Sequence, residues 1–344
     1  MDRCGEVSGR GGVMVQHVNG ILYTDQRVAN SVLWVVAAFV ILGGYNIMSS
    51  WRQNRVADVG KRLRKIIIPY VICTCVYVIW EEHFFSAERV WQRILHFNAA
   101  GPLYFVAVYI QLVVISPFLI GCINWADKKS RVFRHTFLLV SVLSVSYISI
   151  HYTDILNIGL GGGNIFSGFW LIFWYGGMVF SAEKREWGAR RKKVFSAVLL
   201  SLYILWEYIF VFRNYNNIFR GKYGNMYHMT AQMTWWNALE AFLVVFLIKE
   251  GIELLEMKES RAIAIGLRPI SYIGKMSLYI FLYHILFRDI YQMYFSCENI
   301  WAGRFMCFLF MTGGSILIYY FFQALKKIVV AMTEMAGVQR KTVK

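Results

Sequence analysis

The amino-acid sequence predicts an all-α fold, a polytopic helix bundle that crosses a membrane many times. Hydrophobic residues make up 58% of the 344 residues, and the mean hydropathy is +0.46. Soluble domains average about 45–50% apolar residues, so this chain is too apolar to fold as one of them. The apolar residues come in long runs, and clusters of Lys and Arg occupy every second connection between the runs. Together these observations predict a membrane bundle with about nine full transmembrane helices.

Nine apolar segments are long enough, or nearly long enough, to span a hydrocarbon core, which requires about 20 helical residues. Several are short in hydropathy alone and are extended into flanking Trp, Tyr and His, which favour the membrane interface. The predicted spans are residues 31–48, 66–80, 103–122, 135–151, 165–180, 194–212, 231–248, 271–288 and 301–324.

The connections between these segments alternate in charge. Acidic residues, Asn, Gly and aromatic residues characterise one set, at 81–101, 151–164, 213–236 and 289–300. Lys and Arg crowd the other set, at 52–65, 128–134, 184–193 and 249–268, and the end of the chain from 326 on. Because basic loops stay in the cytoplasm, this pattern places the second set and the C-terminus there. We expect one membrane domain over 1–344, with an atypical N-terminus at 1–12 and a cytoplasmic basic tail at 325–344.

The N-terminus does not fit this order, because the span at 31–48 requires an earlier crossing to bring the chain outside. Residues 13–22 resemble only the outer half of such a helix, being too short to span and lacking a signal-peptide pattern. Two explanations stay open: the chain as given begins too late, or the protein is a natural truncation. The prediction is therefore nine full helices plus a partial N-terminal one.

The net charge of +16 does not indicate nucleic-acid binding. The Lys and Arg sit in short clusters between apolar runs, without a basic face free of membrane segments. Four of the six cysteines fall inside apolar runs, where they act as small hydrophobes, so no disulfide framework is predicted. No metal site is predicted, and no phosphate loop of the GxxxxGK[ST] type occurs.

Two motifs stand in the first half of the predicted bundle, VMVQH at residues 13–17 and FVILGGY at residues 39–45. They resemble two patterns of the acyltransferase 3 family of polytopic O-acyltransferases. The first is the Val-Val-x-x-His pattern that ends the family's first helix, with His17 as the matching histidine. The second is Phe-x-x-x-Ser-Gly-Tyr, with Gly43 in place of Ser.

Two further motifs follow in the same order as in that family. The element Lys-Arg-x-x-Arg-x-x-x-Pro-Tyr is matched at 61–70, with Lys65 replacing the second Arg. Tyr-Ile-Gly-Lys-x-Ser-Leu-x-Ile-x-Leu-x-His runs from 272 to 284. The chain departs from the family at Glu6, where a basic residue is common, and at Tyr104, where a Trp often begins the fourth helix.

The resemblance implies a ten-helix bundle in the complete form and an enzyme that transfers an acyl group, most commonly acetyl. The donor would be a cytoplasmic acyl-CoA, and the acceptor a hydroxyl of an envelope glycan or a lipid-linked sugar. It implies a multi-pass protein of a bacterial plasma membrane, surrounded by membrane lipid, with no permanently bound cofactor. Two alternatives stay open: a permease or flippase for a glycan or metabolite, and a catalytically silent relative.

His17 is the candidate general base. A histidine in or beside a membrane helix is costly unless it has a partner or a polar cavity, which marks it as functional. An imidazole can take the proton from a sugar hydroxyl that attacks a thioester, and later protonate the leaving thiolate. The alternative is an interfacial histidine at a helix end. For His284 a structural hydrogen bond is the favoured role.

Arg62 and Lys65 are the candidate donor-binding residues. They lie three apart on one face of a helix that enters the membrane from the basic side. Two cations there suit the phosphates of an acyl-CoA, Arg through bidentate hydrogen bonds and Lys as a point charge. The alternative is that both serve only to orient the helix, as Arg52, Arg55 and Lys61 can.

The connection at 213–236 is rich in Asn and aromatic residues, which suits contact with a glycan acceptor. Its alternative explanation is an aromatic belt at the membrane interface. A buried acid nearby is expected to face a cavity or a cation, such as Arg213 or Arg220. The candidate acceptor-binding residues are Tyr215, Tyr223, Trp235, Trp236 and Glu240.

Overall fold

The computed structural model describes residues 14–15, 17–18, 31–54, 57–151, 168–182, 188–209, 235–256, 261–295, 297 and 299–342. Within these residues the chain is helical throughout its regular structure, and no β-strand is present. The helices are α1 (Trp34–Asn54), α2 (Val59–Glu82), α3 (Ala87–His96), α4 (Tyr104–Asp127), α5 (Arg131–His151), α6 (Leu171–Ala182), α7 (Ala189–Glu207), α8 (Trp235–Glu256), α9 (Arg261–Tyr294) and α10 (Ile300–Thr342). The prediction of an all-α fold is confirmed.

The predicted number of full spans is not confirmed. Four helical stretches among the described residues are long and apolar enough to cross a membrane: Trp34–Asn54, Val59–Glu82, Gly101–Asp127 and Ile300–Ile328. Two shorter apolar stretches are His135–Val145 and Leu171–Ser181. Other predicted spans coincide with helices that carry more charge, as α8 does at Glu240, Lys249 and Glu250. By length and composition alone, these helices therefore do not qualify as membrane spans.

The structure also corrects two connections. The segment at 81–101, predicted as a loop, contains the short helix α3, whose Ser86 N-cap accepts a hydrogen bond from the amide of Arg89 at 3.3 Å. One side of α3 buries Val90, while Trp91 and Leu95 are exposed. Residues 325–342 of the predicted tail continue α10, which runs unbroken to Thr342, and the cytoplasmic placement of this tail stays a prediction.

Helices α1 and α6 make the closest backbone contact in the bundle, and glycines allow it. A Cβ atom on Gly44 would lie 2.0 Å from the carbonyl oxygen of Trp174, and one on Gly177 would lie 1.9 Å from that of Ile41. Both distances are far below van der Waals contact, so only glycine fits at these positions. Small residues commonly let membrane helices approach in this way. The Gly-Gly-Tyr motif therefore has a packing role.

The core is aromatic and forms around this helix pair. The side chains of Trp170, Phe173 and Trp174 are fully buried. The indole Nε1 of Trp174 donates a hydrogen bond to Ser116 Oγ on α4 at 2.9 Å, which satisfies its polar group inside the bundle. Helix α4 contacts both α1 and α6, and α2 packs against α4 and α9. Helix α8 packs against α1, and α7 packs against α8.

Candidate active site

A cavity of about 620 Å³ lies between α1, α2, α4 and α9, and we call it the basic cavity. Four cationic side chains line it, together with a single carboxylate, Asp58. Its remaining lining is mixed, with polar groups from Asn46, Ser50 and Ser277 and aromatic rings from Phe105 and Phe281. The four cations are Lys61, Arg62, Lys65 and Lys275.

Both sequence candidates for donor binding line this cavity. Arg62 and Lys65 project from the first turns of α2, and Lys61 lies one turn before Lys65 on the same face. Lys275 comes from α9, within the Gly-Lys-x-Ser part of the fourth motif. Sequence analysis did not select Lys275, although a lysine inside the predicted span at 271–288 was a visible signal.

Arg62 is held in place by the backbone before α2 and by α1. Its Nε donates to the carbonyl of Ala57 at 3.2 Å, and its Nη2 donates to the carbonyl of Asn46 at 3.0 Å. Asp58, which follows Ala57 and directly precedes α2, has a φ of 48°, a left-handed conformation that Asp tolerates better than most residues. Arg62 has five N–H donors, of which these bonds use two. It therefore positions the entrance of α2 as well as contributing charge to the cavity.

The second element of the site is a pair of histidines. The ring centroids of His17 and His284 lie 5.0 Å apart, with the planes tilted by 45°. These residues are far apart in the sequence, and sequence analysis did not pair them. Met14 and Val18, on either side of His17, are buried in a cluster with Met276 and Ile280 of α9 and with residues of α10. This packing sets His17 against α9.

The tautomer of His284 follows from its hydrogen bonds. Its Nδ1 lies 2.7 Å from the carbonyl of Phe281 and 3.0 Å from that of Ile280. Since carbonyl oxygens only accept, Nδ1 carries the proton, which leaves a lone pair on Nε2. The side chain is fully buried, and Nε2 has no hydrogen-bond partner among the described residues. The expected structural hydrogen bond is present, and an unused acceptor stands on the other side of the ring.

Phe281 connects the histidine pair with the basic cavity. Its ring lines that cavity, and its centroid lies 6.2 Å from the centroid of His284. Arg288 follows one turn after His284 and is paired with Asp289 at 2.6 Å. The structure thus brings the candidate base and the candidate donor-binding cations to adjacent parts of one site.

The acceptor-binding candidates are only partly described. Tyr215 and Tyr223 lie outside the described residues, and so do the side chains of Trp235 and Trp236. Glu240 is buried in α8, and its Oε1 has no hydrogen-bond partner among the described residues. It lines neither the basic cavity nor the second cavity described below. The expected cation partners, Arg213 and Arg220, lie outside the described residues as well.

A second cavity of about 580 Å³ lies between α5, α6, α7 and α8, and we call it the apolar cavity. Phe195, Phe242 and Phe246 form much of its wall, and its charged residues, Lys249 and Glu250, contact each other at 3.1 Å. Lys249 also contacts Glu253 at 2.7 Å, and Glu253 is bound in turn by Lys192. Charge is therefore compensated at this cavity.

Glu253 lies beyond the predicted span, at the end of α8. Burial alone would raise the pKa of its carboxyl group, but hydrogen bonds from Lys192 and Lys249 outweigh burial and lower the pKa below the usual range. Within the described part of the chain, no group of three His, Cys, Asp or Glu side chains is arranged to hold a metal ion.

Comparison with known proteins supplies one match. The family model of the acyltransferase 3 domain, described as an acyltransferase domain, matches residues 9–321, which is most of the chain. The matched region includes His17, the four cations of the basic cavity and His284. No curated protein and no solved structure matches this chain.

Proposed function

This chain belongs to the acyltransferase 3 family, and we propose that it is a membrane O-acyltransferase that uses acyl-CoA, with acetyl-CoA as the donor. The acceptor in this proposal is a hydroxyl of an envelope glycan or of a lipid-linked sugar. In this proposal, the protein crosses a bacterial plasma membrane nine times between residues 31 and 324, with the C-terminus in the cytoplasm. The alternation of basic and non-basic connections supports this orientation.

The observation that carries the proposal is the continuity between the basic cavity and the histidine pair. Phe281 lines the cavity and lies beside His284, which lies beside His17. Along α9, nine residues separate Lys275 in the cavity from His284, a rise of about 14 Å at 1.5 Å per residue. A donor with phosphates at one end and a reactive thioester at the other end of a long arm suits such a layout.

In the proposed mechanism, Arg62 and Lys65 bind phosphate oxygens of acyl-CoA, and the acyl thioester reaches the histidine pair. His17 takes the proton from the acceptor hydroxyl while that oxygen attacks the thioester carbonyl. When the carbon–sulfur bond breaks, the protonated His17 returns the proton to the leaving thiolate. The products are an acylated hydroxyl and free CoA, and His17 is neutral again.

His284 has a positioning role in this proposal. Its Nδ1 proton is fixed by the backbone of α9, so its Nε2 can only accept. We propose that Nε2 accepts a hydrogen bond from an N–H of His17, which directs the other nitrogen of His17 to the acceptor hydroxyl. A neutral acceptor of this kind orients His17 and leaves its other nitrogen free to act as the base.

The acceptor side rests on the sequence. Tyr215, Tyr223, Trp235 and Trp236 remain proposed contacts to the glycan, because aromatic faces pack against the C–H surfaces of sugars. Glu240 remains a proposed contact to glycan hydroxyls. Its buried Oε1, which has no hydrogen-bond partner among the described residues, supports this contact.

The test is acetyl transfer by the purified protein in proteoliposomes, with isotope-labelled acetyl-CoA on one side and a glycan acceptor on the other. His17→Ala is expected to reduce transfer about 10²–10⁴-fold, the range for a lost general base. His17→Gln should do no better, because an amide cannot take a proton at neutral pH. His135→Gln, which changes a histidine of the apolar cavity, is the matched control and should transfer normally.

Near-normal transfer by His17→Gln would remove the general-base role from His17. A protein that exports the glycan but adds no label to it, with export altered by His17→Ala, would instead establish the permease alternative. A wild type with neither activity would identify a catalytically silent relative.

A further inference from the structure

The cations of the basic cavity lie on two walls, formed by α2 and α9. Lys61, Arg62 and Lys65 come from α2, and Lys275 comes from α9. The two walls are far apart in the sequence, and packing of α2 against α9 brings them together. Sequence analysis considered the α2 wall alone.

Lys275 carries a charge that no carboxylate balances within the described residues. Its side chain is exposed and lines the cavity, and its Nζ lies 6.0 Å from the ring centroid of Tyr272. The single carboxylate of the cavity, Asp58, precedes α2 on the other wall. By contrast, Lys249 at the apolar cavity contacts two carboxylates.

The two walls differ in the anion that they suit. Lys61 and Lys65 are one turn apart, which places their Cβ atoms about 5–6 Å from each other. Paired with Arg62, they suit two adjacent phosphate groups. Lys275 stands alone on its wall, and it suits a separate phosphate. A phosphate monoester carries a charge of about −1.5 to −2 at neutral pH, so it gains most from a cation of its own.

We propose that Lys275 binds the 3′-phosphate of the acyl-CoA donor, while the α2 cations bind the diphosphate. Acyl-CoA carries these two kinds of phosphate, one in the link to the pantetheine arm and one on the ribose. The inference rests on the proposed function, because it assumes that acyl-CoA is the donor. It makes Lys275 the residue that selects a donor with a 3′-phosphate over one without it.

The experiment compares binding of CoA and of 3′-dephospho-CoA, which differ only in that phosphate, by calorimetry on the purified protein in nanodiscs. The wild type is expected to bind CoA about tenfold more tightly than 3′-dephospho-CoA, because a hydrogen bond between charged groups contributes about that factor. Lys275→Gln should weaken the binding of CoA to the affinity of 3′-dephospho-CoA. The affinity for 3′-dephospho-CoA itself should not change. Lys275→Arg should retain most of the preference, because it keeps the charge.

Lys129→Gln is the matched control, because Lys129 is exposed after α4 and lies outside the cavity lining. It should keep the full preference. Equal weakening of both ligands by Lys275→Gln, or an unchanged preference, would overturn the assignment of Lys275 while leaving acyl-CoA as donor. A wild type that binds neither ligand would overturn the proposed function itself.

Discussion

The two cavities of the bundle have similar volumes, about 620 and 580 Å³, but opposite electrostatic character. The basic cavity has four cations and one carboxylate in its lining. At the apolar cavity, Lys249 is paired with Glu250 and Glu253, and most of the wall is aromatic or aliphatic. Helix α1 lines the first and helix α6 lines the second, so the tightly packed α1–α6 pair stands between them.

This difference shows that the number of lysines near a cavity does not decide its chemistry. The start of α7 is rich in Lys and Arg, and α8 adds Lys249 near the apolar cavity, yet Lys192 and Lys249 there are paired with carboxylates. At the basic cavity the cations outnumber the one carboxylate, and the pair formed by His17 and the buried His284 lies beside it. Uncompensated cations next to an unused basic nitrogen indicate a site for an anionic ligand and proton transfer.

The largest effect is expected at the histidine pair. His284→Leu removes the acceptor that orients His17, and misplacement of a catalytic group by about 1 Å can cost 10²-fold in rate. We expect kcat to fall by about that factor, while KM for acyl-CoA stays unchanged because the cations are intact. His284→Gln keeps an acceptor oxygen and should lose less. Steady-state kinetics measures both parameters, with His135→Leu at the apolar cavity as the control. If His284→Leu and His135→Leu behave alike, the positioning role of His284 is contradicted.

The next effect concerns donor affinity. Replacing Arg62 and Lys65 together by Gln should weaken acyl-CoA binding by at least about tenfold, since each charge-assisted hydrogen bond contributes about 1.5–3 kcal/mol. The loss should be greater at low salt, where charge is less screened. The matched double variant replaces Lys192 and Lys249 by Gln and should bind acyl-CoA normally. Calorimetry at two salt concentrations tests this. Because Arg62 also holds the start of α2 in place, the single variant Lys65→Gln, which keeps Arg62, separates the loss of charge from misfolding. If the affinity is unchanged, Arg62 and Lys65 do not bind the donor and serve only to orient the helix in the membrane.

A third effect tests the wall between the cavities. Gly44→Ala would place a Cβ about 2.0 Å from the Trp174 carbonyl, so α1 and α6 must separate. Overpacking of this kind typically costs about 1–3 kcal/mol. Gly121→Ala on α4 is the control, because no atom lies within 4 Å of its added Cβ, and alanine favours helix by up to about 1 kcal/mol. Thermal unfolding in detergent should show opposite shifts, and equal shifts would refute the close contact.

The smallest effect is expected at the ion pairs of the apolar cavity. The pKa of Glu253 is lowered on folding, so its contribution to stability is complete above the ordinary glutamate pKa of about 4.3 and is lost as pH falls through the lowered value. Partly exposed ion pairs contribute about 0.2–1 kcal/mol. Glu253→Gln should therefore lower the melting temperature slightly at pH 7 and have no effect in strong acid. A constant difference at all pH values would exclude this linkage.

The helices were largely predictable from the sequence, and the site only in part. Within the described residues, each predicted span overlaps a helix, because hydropathy and helix formation are local properties. Helix α3 was missed because its hydrophobic residues occupy one face of ten residues and do not form a continuous run. Arg62 and Lys65 were correctly placed on one helix face, but the sequence did not reveal that the backbone of Asn46 and Ala57 holds Arg62.

The sequence by itself determined the membrane class, the positions of the helices, the family and the residue types available for chemistry. Tertiary structure alone decided which of those residues meet. His17 and His284 come together through the packing of Met14 and Val18 against α9 and α10, and Lys275 faces the α2 lysines through the packing of α2 on α9. The physical reason is that charge compensation and hydrogen-bond partnership depend on distances of a few ångströms between residues that are remote in the chain. Hydropathy patterns carry no information about such distances.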